Sequence, residues 1–138
     1  MKYDFLSDII NFNEMYKMPE NANFDWKKRL IDFKDIIEEE ANEAYDILNM
    51  FGNETSSDLD VKTEVADLLG DIIIYCASEA QRWDIPIEQV LNIIMDSNFS
   101  KLGIDGLPIY DDRNKLLKGP NYWRPQAKIR ELLEKGNK

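Results

Sequence analysis

The stretch IIEEEANEA (residues 36–44), together with EVADLLGDIIIYC (residues 64–76), decides the fold of this chain. Within both stretches, acidic residues stand three positions apart in apolar sequence: Glu40 with Glu43, and Glu64 with Asp67. Residues spaced i, i+3 share one face of a helix, and an unpaired carboxylate on a buried face is costly. The pattern therefore predicts two packed helices whose acidic residues need compensation by a cation.

A helical wheel at about 100° per residue separates the acids of the first stretch. With Glu40 as zero, the apolar side chains of this helix fall within about 60° of it. Glu43 lies about 60° round, at the edge of that stripe, whereas Glu39 lies about 100° away and Glu38 about 160° away. We therefore predict that Glu40 and Glu43 point inward, opposite the solvated part of the run.

On the second helix, Glu64, Asp67 and Asp71 fall within an arc of about 60°. The adjoining half of this helix is so apolar that we predict it to be mostly buried. Packed antiparallel, the two helices would bring four or five carboxylates together, and one or more Mg²⁺ ions, or Mn²⁺ in their place, would offset the repulsion. The alternative is that these acids are exposed charges paired with nearby lysines and arginines. Two inward-facing pairs on consecutive helices make this alternative less favourable.

Composition narrows the class of protein further. The chain has 138 residues, 43% hydrophobic and 32% charged, which is typical of one globular domain. Its net charge of −10 argues against binding of duplex DNA. Histidine is absent, so proton transfer near neutral pH must use carboxylates, Lys, Tyr or metal-bound water.

The N-terminal sequence MKYDFLSD lacks a signal-peptide pattern, and the apolar run of residues 68–77 is too short to span a bilayer. We therefore expect a protein of the cytoplasm, that of the host cell if the chain is phage-encoded, without a membrane partner.

Apolar periodicity predicts an all-α bundle of about four to five helices plus a long C-terminal loop. We expect a single domain over residues 1–138 with a core at about 24–125 and a frayed tail at 134–138. The first predicted helix begins at Phe5 and is closed by Pro19, and the second runs over about residues 25–51. The third runs over about residues 60–83, with Asp58 or Asp60 as its cap. The fourth begins at Pro86, and a short final helix covers residues 127–133. Residues 102–125 are predicted to form an irregular loop packed on the body, because Gly and Pro punctuate them.

Four ordered motifs resemble one family. They are EEEANE (38–43), EVADLLGD (64–71), SNFSK (97–101) and KGPNY (118–122). This series is similar to the all-α NTP pyrophosphohydrolases, which include MazG, phosphoribosyl-ATP pyrophosphohydrolase and the dimeric dUTPases, and above all to the small MazG-like branch with its phage-type members. The resemblance covers about residues 26–125.

The resemblance implies a helical homodimer or homotetramer that uses Mg²⁺ to cleave a nucleoside triphosphate between its α- and β-phosphates. The products would be a nucleoside monophosphate and pyrophosphate, with a purine such as (d)GTP or dATP weakly favoured. The alternatives are a broad-specificity or pyrimidine (dUTP or dCTP) pyrophosphatase, and a non-catalytic nucleotide-binding helical module. A further alternative is a structural oligomer whose acids meet basic residues of a second subunit.

Residue by residue, the resemblance implies three sets of functional positions. The metal ligands would be Glu40, Glu43, Glu64 and Asp67. The catalytic set would be Glu40, Glu39 as the base that activates water, and Asp71, which would hold a metal-bound water. The substrate contacts would be Asn98, Lys101, Lys118, Asn121 and Tyr122. The chain departs from the family pattern at residues 111–115, where a simpler turn is usual, and at Leu107, where a Lys is common.

Overall fold

The protein is described by a computed structural model that covers residues 4–15, 24–52 and 57–136. Within those residues it has five helices: α1 Phe5–Met15, α2 Trp26–Phe51, α3 Asp58–Arg82, α4 Ile87–Phe99 and α5 Gln126–Gly136. The same residues contain no strand beyond a single antiparallel bridge between Tyr110 and Leu116. The predicted all-α class with a long C-terminal loop is confirmed.

The two long helices begin at well-formed caps. The Asp25 side chain accepts hydrogen bonds from the backbone N–H groups of Lys27 and Lys28, and this satisfies donors that have no partner inside α2. At α3 the cap is Ser57, whose hydroxyl oxygen accepts from the backbone N–H of Asp60. The prediction that an aspartate caps α3 is therefore wrong, because the helix begins two residues earlier than expected.

The last helix is longer than predicted. It continues to Gly136, so residues 134–136 are helical and not frayed. Two ion pairs spaced i, i+4 lie along it, Arg130 with Glu134 and Glu131 with Lys135, and such pairs support a helix end. The remaining two residues of the predicted tail, and Pro19 after the first helix, lie outside the described residues.

The chain divides into two compact units, Met1–Asp84 and Ile85–Lys138. In the first unit, α2 packs along α3, and α1 packs on α3. The second unit contains α4, the irregular segment and α5. That residues 1–138 act as one domain stays a prediction. None of the described helices is both long enough and apolar enough to cross a membrane.

One apolar face of α3 is exposed in the part of the chain that the structure describes. Leu69 is 55% exposed and Ile73 is 67% exposed, and Cys76 on the same helix is also exposed. Among the described residues, the buried hydrophobic side chains are those of Ala80 and Val90, and each keeps a small exposed fraction of 7% and 8% respectively. The prediction that α3 is mostly buried is thus wrong for the single chain, because α1 and α2 cover only part of its apolar circumference.

In the second unit, residues 111–115 close a tight turn. The Asp111 carboxylate accepts from the backbone N–H of Arg113 at 2.8 Å and of Lys115 at 2.9 Å. Asn114 takes a left-handed conformation with φ of 61°, which asparagine tolerates better than most residues. The stretch that departs from the family pattern is therefore an aspartate-closed turn between Tyr110 and Leu116.

Candidate functional site

The register of α2 against α3 determines which acids meet. Arg29 near the start of α2 forms an ion pair with Glu79 near the end of α3. Farther along α2, Glu40 lies beside Asp71, which comes earlier in α3. Residue numbers thus rise along one helix as they fall along the other, so the two helices run antiparallel and hold their acids at one level.

Three carboxylates converge at that level. Glu40 and Glu43 of α2 and Asp71 of α3 each offer an oxygen, and these oxygens all lie within 4.8 Å of one another. Oxygen donors of this kind suit a hard divalent cation, with water completing the coordination. We call Glu40, Glu43 and Asp71 the acidic cluster.

Among these three carboxylates, Glu40 has a raised pKa. Desolvation raises its pKa above the ordinary value, and the negative charges of Glu43, Asp71, Glu39 and Asp67 raise it further. Its Oε2 atom is buried and has no hydrogen-bond partner among the described residues. A buried carboxylate oxygen left unpaired among like charges is unfavourable, and a bound divalent cation would offset this cost. The residues present therefore fit a cation.

Tyr75 follows Asp71 by about one turn of α3. The charge of Glu40 is the main cause that raises the pKa of the Tyr75 hydroxyl, and desolvation adds to it. The phenol therefore stays protonated near neutral pH and lies within the field of the acidic cluster.

The two other predicted ligands, Glu64 and Asp67, are not among the three converging carboxylates. Asp67 lies close enough for its charge to raise the pKa of Glu40, although it is the weakest of the named causes. Glu64 precedes Asp71 by about two turns, which is roughly 10 Å along the helix axis. Their role as ligands stays a prediction, and so does the role of Glu39 as a base; Glu39 is exposed beside the cluster.

The predicted substrate contacts gather within the second unit. The Lys101 ammonium donates to Asn98 Oδ1 at 2.9 Å, and the backbone N–H of Gly119 donates to the Lys101 carbonyl at 2.7 Å. A side chain at Gly119 could not fit, since a Cβ there would lie 2.2 Å from the Leu102 carbonyl oxygen. The SNFSK and KGPNY motifs are therefore neighbours in space.

The end of this loop is held through the backbone of Trp123. The Ser97 hydroxyl donates to the Trp123 carbonyl at 2.9 Å, and the Trp123 N–H donates to the Ser100 hydroxyl at 3.2 Å. Beside it, the Lys118 ammonium lies 4.9 Å from the centre of the Tyr122 ring, a cation–π contact. Asn121 is exposed next to them. Lys118 and Tyr122 are thus positioned by contact with each other.

A second polar group in the first unit was not predicted from the sequence. Both oxygens of Glu79 are engaged, one by the Arg29 guanidinium and the other by Trp83 Nε1 at 2.8 Å. Helical spacing alone gives no sign of the pair between Arg29 and Glu79, because the two residues lie fifty positions apart in the sequence. Beside this pair lies a cavity of about 650 Å³ that is lined by residues of α1, α2 and α3.

No protein-family model and no curated protein matches this sequence. Among solved structures, the chain is similar to a protein from Exiguobacterium sp. 255-15 that is provisionally described as an NTP pyrophosphohydrolase. The identity is 16% over 98% of this chain and 99% of that chain, with a TM-score of 0.53. At that level of identity the likeness concerns the fold, and this chain shares its all-helical fold with that protein.

Proposed function

We propose that this chain is a Mg²⁺-dependent nucleoside triphosphate pyrophosphohydrolase that cleaves between the α- and β-phosphates. The observation that carries the proposal is the acidic cluster, in which a buried Glu40 oxygen lacks a partner among the described residues. The fold shared with a protein provisionally described as an NTP pyrophosphohydrolase supports it. The four motifs that resemble that family support it as well.

The acidic cluster would hold Mg²⁺ or Mn²⁺, with Glu64 and Asp67 as further proposed ligands. A cation bound there would neutralise phosphate charge and lower the pKa of a coordinated water. Glu39, exposed beside the cluster, would accept a proton from the attacking water. The water oxygen then bonds to the α-phosphorus, the bond from that phosphorus to the bridging oxygen breaks, and pyrophosphate leaves with the electron pair.

The substrate's phosphates also need positive charge from the protein, since the chain carries a net charge of −10. Lys101 and Lys118 would supply it as point charges. Asn98 and Asn121 would add hydrogen bonds to phosphate or ribose, and Tyr122 would face the nucleotide. These roles rest on the resemblance and on the closeness of the two motifs in the second unit.

We further propose a homodimer or homotetramer that works in the cytoplasm. The supporting observation is the exposed apolar face of α3, since a patch of this kind usually marks an interface. A second copy of the same helix would cover it symmetrically. Light scattering coupled to size exclusion tests this directly, and a monomer at micromolar concentration would contradict it.

The test of activity is release of pyrophosphate from a panel of NTPs and dNTPs, with Mg²⁺ or Mn²⁺ present. We expect Glu40→Gln and Asp71→Asn to lower turnover by about 100-fold or more. The matched control is Glu38→Gln, an exposed member of the same acidic run that contacts Lys34 at 2.9 Å. It should keep full activity.

Wild-type turnover in folded Glu40 and Asp71 variants would contradict the proposed centre. Release of orthophosphate alone would contradict cleavage between the α- and β-phosphates. Nucleotide binding without product at excess Mg²⁺ would instead indicate a non-catalytic binding module.

A further inference from the structure

Tyr75 lies where the acidic cluster meets the cavity of the first unit. It follows Asp71 by four positions on α3, and residues at this spacing share one face of a helix. Both residues line the cavity, and Asp71 also belongs to the cluster. A ligand held by the cluster and extending into the cavity would therefore pass Tyr75.

The Tyr75 side chain extends back towards the cluster. Long side chains of an α-helix point towards its N-terminus and cover the turn before their own Cα. The turn before Tyr75 carries Asp71. In agreement with this direction, the charge of Glu40 on the neighbouring helix is the main cause that raises the pKa of Tyr75, ahead of desolvation and the charge of Asp71. The hydroxyl group therefore lies close to the converging carboxylates.

Tyr75 is also accessible to a ligand, since it is 39% exposed. The cavity wall that α2 contributes before Glu40 is apolar, formed by Phe33 and Ile36, and it offers no hydrogen bond to a polar ligand. A phenol hydroxyl can donate one. Because this donor is neutral, it can meet an anion without adding negative charge to a site that already holds three carboxylates.

We propose that the Tyr75 hydroxyl donates a hydrogen bond to a non-bridging oxygen of the substrate's α-phosphate. This role rests on the proposed function, in which water activated at the acidic cluster attacks the α-phosphorus, so that the α-phosphate lies at the cluster. A hydrogen-bond donor that the fold holds in place stabilises the negative charge of a reacting phosphate without having to reorganise during the reaction. Tyr75 is thus a catalytic residue that contacts the substrate and not the cation.

The first test compares Tyr75→Phe with Tyr45→Phe. Each substitution keeps the ring and removes one hydroxyl group. Tyr45 is a matched control because it is 66% exposed on α2 and lies about 140° round the helix from Glu40. With the best substrate of the NTP and dNTP panel, Tyr75→Phe should lower kcat/KM for pyrophosphate release by about 10-fold to 100-fold, and Tyr45→Phe should leave it unchanged. Wild-type kcat/KM in Tyr75→Phe would overturn the proposal.

The second test separates a substrate contact from an effect on the cation site. Thermal unfolding is followed during a Mg²⁺ titration of the wild-type protein and of Tyr75→Phe. We expect the same Mg²⁺-dependent rise of the unfolding temperature in both, because the hydroxyl is not a ligand of the cation. A clearly smaller rise in Tyr75→Phe would mean that the hydroxyl acts through the cation site, and this would overturn the proposed contact.

The third test locates the contact on one phosphate and needs no turnover. Binding of dAMP, dGMP and inorganic pyrophosphate is measured by calorimetry with Mg²⁺ present. The two monophosphates carry the α-phosphate, whereas pyrophosphate corresponds to the β- and γ-phosphates. Tyr75→Phe should weaken binding of both monophosphates by about 10-fold and leave binding of pyrophosphate unchanged. Unchanged binding of the monophosphates, or an equal loss for pyrophosphate, would overturn the assignment to the α-phosphate.

These measurements distinguish failure of this proposal from failure of the proposed function. Weaker monophosphate binding in Tyr75→Phe would support the contact even if no triphosphate released pyrophosphate. Pyrophosphate release that is equal in the wild-type protein and in Tyr75→Phe would keep the proposed function and overturn the role of Tyr75.

Discussion

Glu79 and Glu40 are two carboxylates held between the same pair of helices, and their surroundings are opposite. Glu79 is 9% exposed, and both of its oxygens accept hydrogen bonds, from Arg29 and from Trp83. Glu40 is half-buried, leaves one oxygen without a partner among the described residues, and has Glu43 and Asp71 as neighbours. One end of the helix pair is electrostatically balanced, whereas the other is not.

The difference separates an acid that stabilises the fold from the acid of the proposed centre. A buried carboxylate that is fully paired holds two helices in register, as Glu79 does through Arg29. A carboxylate whose neighbours are all acidic opposes folding unless something else binds there. Perturbed groups of this kind are candidates for ligand and catalytic sites, which is why Glu40 is assigned to the proposed centre.

The largest expected effect comes from unbalancing the Glu79 end. Glu79→Gln leaves the Arg29 guanidinium with Asp32, at 3.7 Å, as its ion-pair partner among the described residues. We expect the free energy of unfolding to fall by about 2–4 kcal/mol in urea titrations, less than for a fully buried pair because Arg29 keeps 21% of its side-chain exposure. The measurement gives the cost of removing one partner from this pair.

A double substitution and an exposed control sharpen that result. Replacing both partners, Arg29→Met with Glu79→Met, should recover much of the loss, because no unpaired charge remains. Glu131→Gln removes an exposed α5 pair with Lys135, and its effect should stay within about 0.5 kcal/mol. An equally small loss of unfolding free energy in Glu79→Gln and Glu131→Gln would contradict the difference between the two ends of the helix pair.

The sequence predicted the helices well but carries little information about the register between them. Caps and apolar periodicity place α2 within one residue of its observed start, because these signals are local. Which acid of α3 meets Glu40 depends on how the helices slide against each other, and long-range contacts such as Arg29 with Glu79 determine that. The i, i+3 spacing of Glu64 and Asp67 carries no such information, so Asp71 stood only third among the acids expected there.

The second expected effect comes from a divalent cation bound at the acidic cluster, the Glu40 end of the helix pair. Mg²⁺ at about 100 times its dissociation constant should raise the unfolding free energy of the wild-type protein by about 2.7 kcal/mol, because it binds the folded state alone. The measurement is thermal unfolding during a Mg²⁺ titration, with EDTA as the reference. Asp71→Asn should show a much smaller shift, since it removes one of the three converging carboxylates. An equal shift in both proteins would place the cation elsewhere.

Sequence patterns also do not predict which part of the protein covers a given face of a helix. The apolar face of α3 at Leu69 and Ile73 looks like core by its periodicity, yet the described chain does not cover it. The same local pattern serves a core and a subunit interface equally well. The turn at Asp111, by contrast, uses signals readable in the sequence, a short acidic side chain followed by an asparagine that tolerates positive φ.

The smallest expected effect is a pH dependence at Glu40 in the absence of metal. Its pKa is raised in the folded protein above the ordinary value of 4.5, so the folded state holds this proton more tightly than the unfolded state does. Wild-type stability in EDTA should therefore gain from this group as the pH falls through the raised pKa towards 4.5 and lose it as the pH rises. Glu40→Gln cannot ionise, so it should be more stable than the wild type at pH 7 and lose that advantage at low pH. Parallel stability curves for the two proteins across this range would mean that Glu40 is no more strained than an exposed acid, and the contrast with Glu79 would then rest on pairing alone.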